Sequence, residues 1–136
     1  MTSYPITDIG GIDGEAAKSL KSAGIRSTAR LLDAASTVKA RKELAGKTGL
    51  CEKLLLCWAN GADRMRIKGI SKEYAELLHV SGVITVRELR YRSPAKLAQA
   101  MADANKKYKL VRLLPSEKLV GRWIEDARKL PLKIKY

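Results

Sequence analysis

At 136 residues the chain makes one domain, or two small halves sharing a core, and its 46% hydrophobic content is enough for a packed interior. Aromatic content is 5% with no Phe, so the expected core is Leu, Ile, Val and Ala, which suits helices packed on helices. The net charge of +13 brings a polyanion to mind as partner, whereas no stretch approaches the roughly 20 apolar residues of a membrane span; Met1-Thr2-Ser3-Tyr4-Pro5 lacks the basic start and apolar run of a secretory signal, so a cytoplasmic location with no membrane partner is expected.

The chain repeats itself. Ile9-Gly10-Gly11-Ile12-Asp13-Gly14-Glu15-Ala16-Ala17 returns 58 residues later as Ile67-Lys68-Gly69-Ile70-Ser71-Lys72-Glu73-Tyr74-Ala75. The register continues through Leu20/Leu78, Gly24/Gly82, Ile25/Val83 and Leu31/Leu89. Such repeats set architecture. The first unit predicts a helix from Gly14 to Ala23, stopped by Gly24 in the left-handed conformation. Ser27 or Thr28 caps a second helix, to about Ala35. Ser36 or Thr37 starts a third, through Lys47, and Thr48-Gly49-Leu50 turns the chain. A fourth begins near Cys51 and reaches about Arg66, with Leu55, Trp58, Ala59, Ala62 and Met65 spaced as one buried face.

The second unit follows the same order. Ser71 is expected to cap a helix ending at Gly82, and Thr85 a short one to about Arg90. Ser93-Pro94 opens the next, with Pro where the first turn tolerates it. Ser116 caps the last helix, whose buried stripe is Leu119, Val120, Trp123, Ile124, Ala127 and Leu130, and Pro131 ends it. Trp58 and Trp123 are equivalent positions and are expected to be core anchors rather than stacking platforms for bases. Their offset has grown to 65, so the second unit holds an insertion near Asn105-Lys106-Lys107-Tyr108-Lys109-Leu110-Val111-Arg112. That segment reads either as a solvated helix end and loop, with Tyr108 or Leu110 tucked into the core, or as a basic loop that tracks a phosphate backbone. The expected organisation is a single all-α domain over 1–136: pseudo-repeat one at 6–66, pseudo-repeat two at 67–131, about four helices each, and a basic tail at 132–136.

Charge is uneven: residues 1–66 balance at +4 and residues 67–136 at +9. Cys51 and Cys57 are six apart, which fits no common zinc pair, and His79 is the single histidine, so no metal or other cofactor is expected. Cys51 reads as a helix-start residue, Cys57 as a small buried one, and His79 as partly exposed. No Ser-His-Asp or Cys-His arrangement occurs, no phosphate-loop signature is present, and Glu15, Glu73, Glu52 and Glu117 each sit in a first turn, where a carboxylate favours the helix dipole. No enzymatic activity is expected.

The glycine turns resemble those of the helix-hairpin-helix family. Ile9, Gly11, Ile12 and Ala17 match its pattern in one copy, and Ile67, Gly69, Ile70 and Ala75 in the other; each following helix ends in Gly-apolar, at Gly24-Ile25 and Gly82-Val83. The whole layout also resembles an uncharacterised bacterial and archaeal family of tandem units of this kind, known only as a domain of unknown function. The resemblance implies binding to nucleic-acid backbone without base readout, through hairpin amides and nearby Lys or Arg. Certain DNA glycosylases use such a unit, but within a larger fold carrying a catalytic Asp or Lys that has no distinguishable counterpart here.

The family's second hairpin glycine is replaced by Asp13 in one copy and Ser71 in the other. A carboxylate at Asp13 competes with and repels a phosphate, while Ser71 is neutral and flanked by Lys68 and Lys72 where the first copy has Gly10 and Gly14. The expected phosphate site is therefore the second hairpin, Lys68, Gly69, Ile70, Ser71 and Lys72, with Lys106, Lys107, Lys109 and Arg112 adding charge. Gly11, Ile12 and Gly14 form the weaker first site, more structural in character. The expected partner is duplex DNA, which would make the protein nucleoid-associated; RNA is the other nucleic acid the same contacts serve. The alternative is a protein-interaction module whose hairpins only pack and whose charge meets an acidic partner.

Overall fold

The computed structural model describes residues 3–136. After a 3₁₀ turn at Ile6–Asp8, eight helices follow: α1 (Gly14–Ser22), α2 (Thr28–Ala34), α3 (Val38–Thr48), α4 (Glu52–Arg64), α5 (Lys72–Val80), α6 (Val86–Leu89), α7 (Pro94–Tyr108) and α8 (Glu117–Lys129). Among the described residues there is no strand, only one antiparallel bridge between Pro5 and Ser27. Local chemistry explains most helix starts. The side chains of Asp13, Ser27, Thr37, Thr85 and Ser116 accept from the N–H of Ala16, Arg30, Ala40, Glu88 and Leu119 at 2.8, 3.2, 3.1, 3.0 and 3.1 Å, each satisfying a donor the helix cannot. Pro94 occupies the first turn of α7 without such a cap.

Helices α2 and α3 pack on α4, α1 and α2 on α3, α5 and α8 on α7, and α6 on α8; α4 touches α6 and so joins the first four helices to the rest. One continuous core of Leu, Ile, Val, Ala, two Met and both Trp runs through the assembly. The sequence pattern predicts one buried face on α4, but every residue from Trp58 to Ile67 is buried, because neighbours surround its second half. The small Ala59, Gly61 and Ala62 permit that close packing; Ile9 lies against Gly61, where a Cβ would come within 3.0 Å of it. Cys57 is exposed, not buried as its size suggested, because it falls outside the Leu55-Trp58-Ala59-Ala62 stripe. His79 is partly exposed.

Burying the end of α4 also buries charge. The Arg66 Nε donates to Asp63 Oδ1 at 2.6 Å and its other nitrogen to Pro131 O at 3.0 Å. Burial raises the Asp63 carboxyl above its usual range despite the attraction of Arg66, and burial lowers the Arg64 guanidinium. Arg64 donates to Ile84 O, and Arg90 to Ala127 O and Leu130 O. Arginine's fork suits it to bridging carbonyls in this way.

Residues 131–136 return across the first half of the chain. Lys135 N–H donates to Ser36 O at 2.7 Å. Buried Arg41 donates to Ala35 O at 2.8 Å and to Lys135 O at 2.7 Å, and the Tyr136 hydroxyl donates to Asn60 Oδ1 at 2.8 Å. The segment is a docked strap, not a free basic tail. No helix among the described residues is long and apolar enough to cross a membrane.

Candidate nucleic-acid interface

The turn before α5 is built by its two isoleucines. Ile67 and Ile70 are buried, and Ile70 N–H donates to Ile67 O at 3.1 Å, closing the turn. Closing it requires φ +91° at Gly69, a conformation that glycine adopts without steric cost. The turn before α1 has the same construction: Ile12 N–H donates to Ile9 O at 3.3 Å, and Gly11 also has φ +91°. A tryptophan backs each turn. A Cβ on Gly11 would lie 3.3 Å from Trp58 Nε1, and one on Gly69 would lie 3.2 Å from Trp123 Nε1. The positive φ, with the indole close behind it, therefore accounts for these glycines without any ligand.

The turns differ electrically. Asp13 already caps α1, and the Glu76 carboxylate of α5 lies where a Gly10 Cβ would be, so two acids face the first turn. Gly14 borders a separate groove lined by Lys18, Lys21 and Arg26. In the second turn Ser71 takes the N-cap position of α5 with φ −98° and ψ −167°, but its side chain caps nothing. The sequence leads one to expect a Ser71 cap; the position is right and the hydrogen bond is not made. Lys68 and Lys72 are exposed on either side, and Glu73 is the single acid of the first turn. Ile70 contributes buried side chain and a committed N–H, so the outward donors here are the first-turn amides of α5 and the Ser71 hydroxyl.

The insertion does not form a free loop. α7 continues through Tyr108, placing Lys106 and Lys107 in its last turn, where cations favour the helix dipole. Lys109 is the C-cap in the left-handed region, φ +51° and ψ +48°, and is the one non-glycine with positive φ among the described residues. Asn105 secures the residues after the helix: its Oδ1 accepts from Leu110 N–H at 2.8 Å and Val111 N–H at 3.0 Å, and its Nδ2 donates to Val111 O at 3.0 Å. Leu110 is half-buried against the core, while Tyr108 is exposed with Lys107 Nζ 5.3 Å from its ring centre.

Tyr74 ties this segment to the second turn. It belongs to the first turn of α5, its hydroxyl donates to Leu113 O at 3.0 Å, and its ring packs on Trp123 with centroids 5.3 Å apart. The contact joins the segment that carries Arg112 to the first turn of α5, which Lys72 opens. A shallow groove beside Lys68 adds Lys129 and Asp126 from α8, flanked by Arg66. The sequence carries no signal for Lys129, which only folding brings to the turn, nor for Tyr74, which reads as an ordinary helix residue.

An all-helical protein with two tryptophan-backed glycine turns, one acidic and one basic, is the class these features define. Residues 10–130 match the family described as domain of unknown function (DUF4332), and the chain belongs to it. The chain is also similar to lysine–tRNA ligase of Porphyromonas gingivalis strain ATCC 33277, 40% identical over 48 residues, and to that of strain W83, 38% identical over 48 residues. Each match covers 35% of this chain and 8% of the ligase. No solved structure matches.

Proposed function

We propose that the chain is a tandem helix-hairpin-helix protein, with pseudo-repeats at 6–66 and 67–131, that binds nucleic-acid backbone without base readout, duplex DNA foremost. The second hairpin is the phosphate site and the first is structural. The observation that carries this reading is the N-terminus of α5, left uncapped by Ser71 between Lys68 and Lys72, against an α1 already capped by Asp13. A phosphate there accepts from the first-turn amides and the Ser71 hydroxyl; Lys129 lies beside Lys68, and Lys106, Lys107, Lys109 and Arg112 add charge from the segment that Tyr74 ties to α5. Lys109 supports the reading independently: glycine or asparagine suits that left-handed position better, yet a cation stands there. The relatives' name denotes an enzyme acting on a tRNA, which agrees with a nucleic-acid partner and brings RNA into the test.

The experiment is fluorescence anisotropy with a labelled random-sequence duplex, an RNA duplex and a single strand, at several salt concentrations, on wild type and Lys68→Glu/Lys72→Glu. The wild type is expected to bind the DNA duplex with affinity that falls linearly in log–log with salt. The double reversal is expected to weaken binding by at least about tenfold and to lower the salt slope by about two, with the circular dichroism unchanged. Unchanged affinity in the variant removes the second hairpin from the mechanism. Absence of wild-type binding even at low salt sinks the nucleic-acid reading and leaves an acidic protein partner.

A further inference from the structure

We propose that Leu113 is an apolar wedge that enters the duplex and unstacks a base step, so that the protein kinks the DNA it binds. The inference rests on the reading above, that the α5 end of the molecule meets duplex backbone. Leu113 is 77% exposed, and its neighbour Leu114 is 41% exposed. Such exposure on a flexible loop needs no explanation. This loop, however, is fastened on both sides: Asn105 holds Leu110 and Val111, Tyr74 holds the Leu113 carbonyl, and Pro115 is buried. The Leu113 backbone is thereby held with its side chain in solvent, beside Arg112 and within one tyrosine's reach of the α5 first turn.

An exposed apolar tip beside a cation, on a backbone held at Leu110, Val111 and Leu113, matches a surface whose phosphates flank an apolar interior. A duplex offers that between base pairs, where single Leu or Ile side chains insert and bend the axis. A bilayer offers it as well, but a single myristoyl chain holds a protein there only marginally, and two leucines present less apolar area. The arrangement therefore favours the duplex.

The test uses the full chain and a random-sequence duplex carrying an internal 2-aminopurine and a donor–acceptor dye pair at its ends. Wild type at saturation is expected to raise 2-aminopurine emission at least about twofold and to raise energy transfer between the ends. Leu113→Ala, which keeps the backbone carbonyl that Tyr74 uses, is expected to keep the salt slope that the phosphate contacts set, and to lose both signals at saturation. Wild-type binding without either signal overturns the wedge while leaving the backbone reading intact. So does Leu113→Ala that unstacks the duplex as well as wild type does. Failure of wild type to bind duplex at all removes both proposals. Capture of phosphatidylserine vesicles that Leu113→Ala loses, with no duplex unstacking, assigns the tip to a membrane instead and overturns this inference.

Discussion

Gly69 answers two requirements at once, a backbone at φ +91° and an indole 3.2 Å from where its Cβ would stand. Gly69→Ala is expected to cost about 1–3 kcal/mol, read from urea denaturation, since both the strain and the crowding oppose it. Gly14 meets nothing within 4 Å and has no positive φ, so Gly14→Ala in the same assay should be neutral or stabilise by up to about 1 kcal/mol. Glycines are thus easy to notice in the sequence and hard to rank. Their identity is visible there, but whether a neighbour leans on them is a property of the fold. The arginines show the same limit. Arginine as a residue type is mostly exposed, yet Arg41, Arg64 and Arg66 are each buried and donating to a carbonyl. Charge patterning records how many cations exist and not which of them a carbonyl has already engaged.

At the scale of the element, α5 and α1 form a natural pair of variants. Asp13 caps α1, whereas Ser71 leaves α5 uncapped. Ser71→Asp is expected to stabilise the protein by about 1 kcal/mol, through a new bond to the α5 amides and a better match to its dipole. The same substitution should weaken duplex binding at least as much as loss of one lysine, because it places a carboxylate at the proposed phosphate site. Melting temperature and anisotropy check the two halves, and a rise in stability with unaltered affinity contradicts the phosphate site. Most helix starts were legible because Ser, Thr, Asp and Pro announce them. The end of α7 was not. Lys109 closes it with a left-handed residue that carries no glycine signal, so the sequence leaves the segment open between a helix end with loop and a basic loop; Asn105 to Tyr108 are helical and Leu110 packs on the core, as in the first of these.

For the whole molecule, the all-helical core was legible from composition and periodicity, because apolar spacing is what burial selects. The strap was not, since nothing in Pro131-Leu132-Lys133-Ile134-Lys135-Tyr136 announces where it docks. Arg41 fixes it by bridging Ala35 O and Lys135 O. Arg41→Ala is expected to cost about 2–4 kcal/mol, because the buried Ala35 carbonyl and the part-buried Lys135 carbonyl both lose a charged donor. Hydrogen exchange at the Lys135 amide should accelerate well beyond that of the α4 amides; equal acceleration at both would mean that the strap opens only with the whole protein. The candidate site spans the same divide. Lys68, Ser71 and Lys72 are adjacent in sequence and were visible as a cluster, while Tyr74, Leu113 and Lys129 join it through tertiary contacts alone.

The two indoles have an optical consequence. Trp58 lies under the turn at 9–13 and Trp123 under the turn at 67–71, and no other tryptophan is present to blur them. Trp123 is fully enclosed, and among the described residues its N–H finds no acceptor. Emission from each ring is therefore a built-in gauge of the turn above it. Replacing one ring with Phe leaves the other to report on its own turn, and the pair of such variants shows, without an attached dye, which of the two turns a ligand has touched.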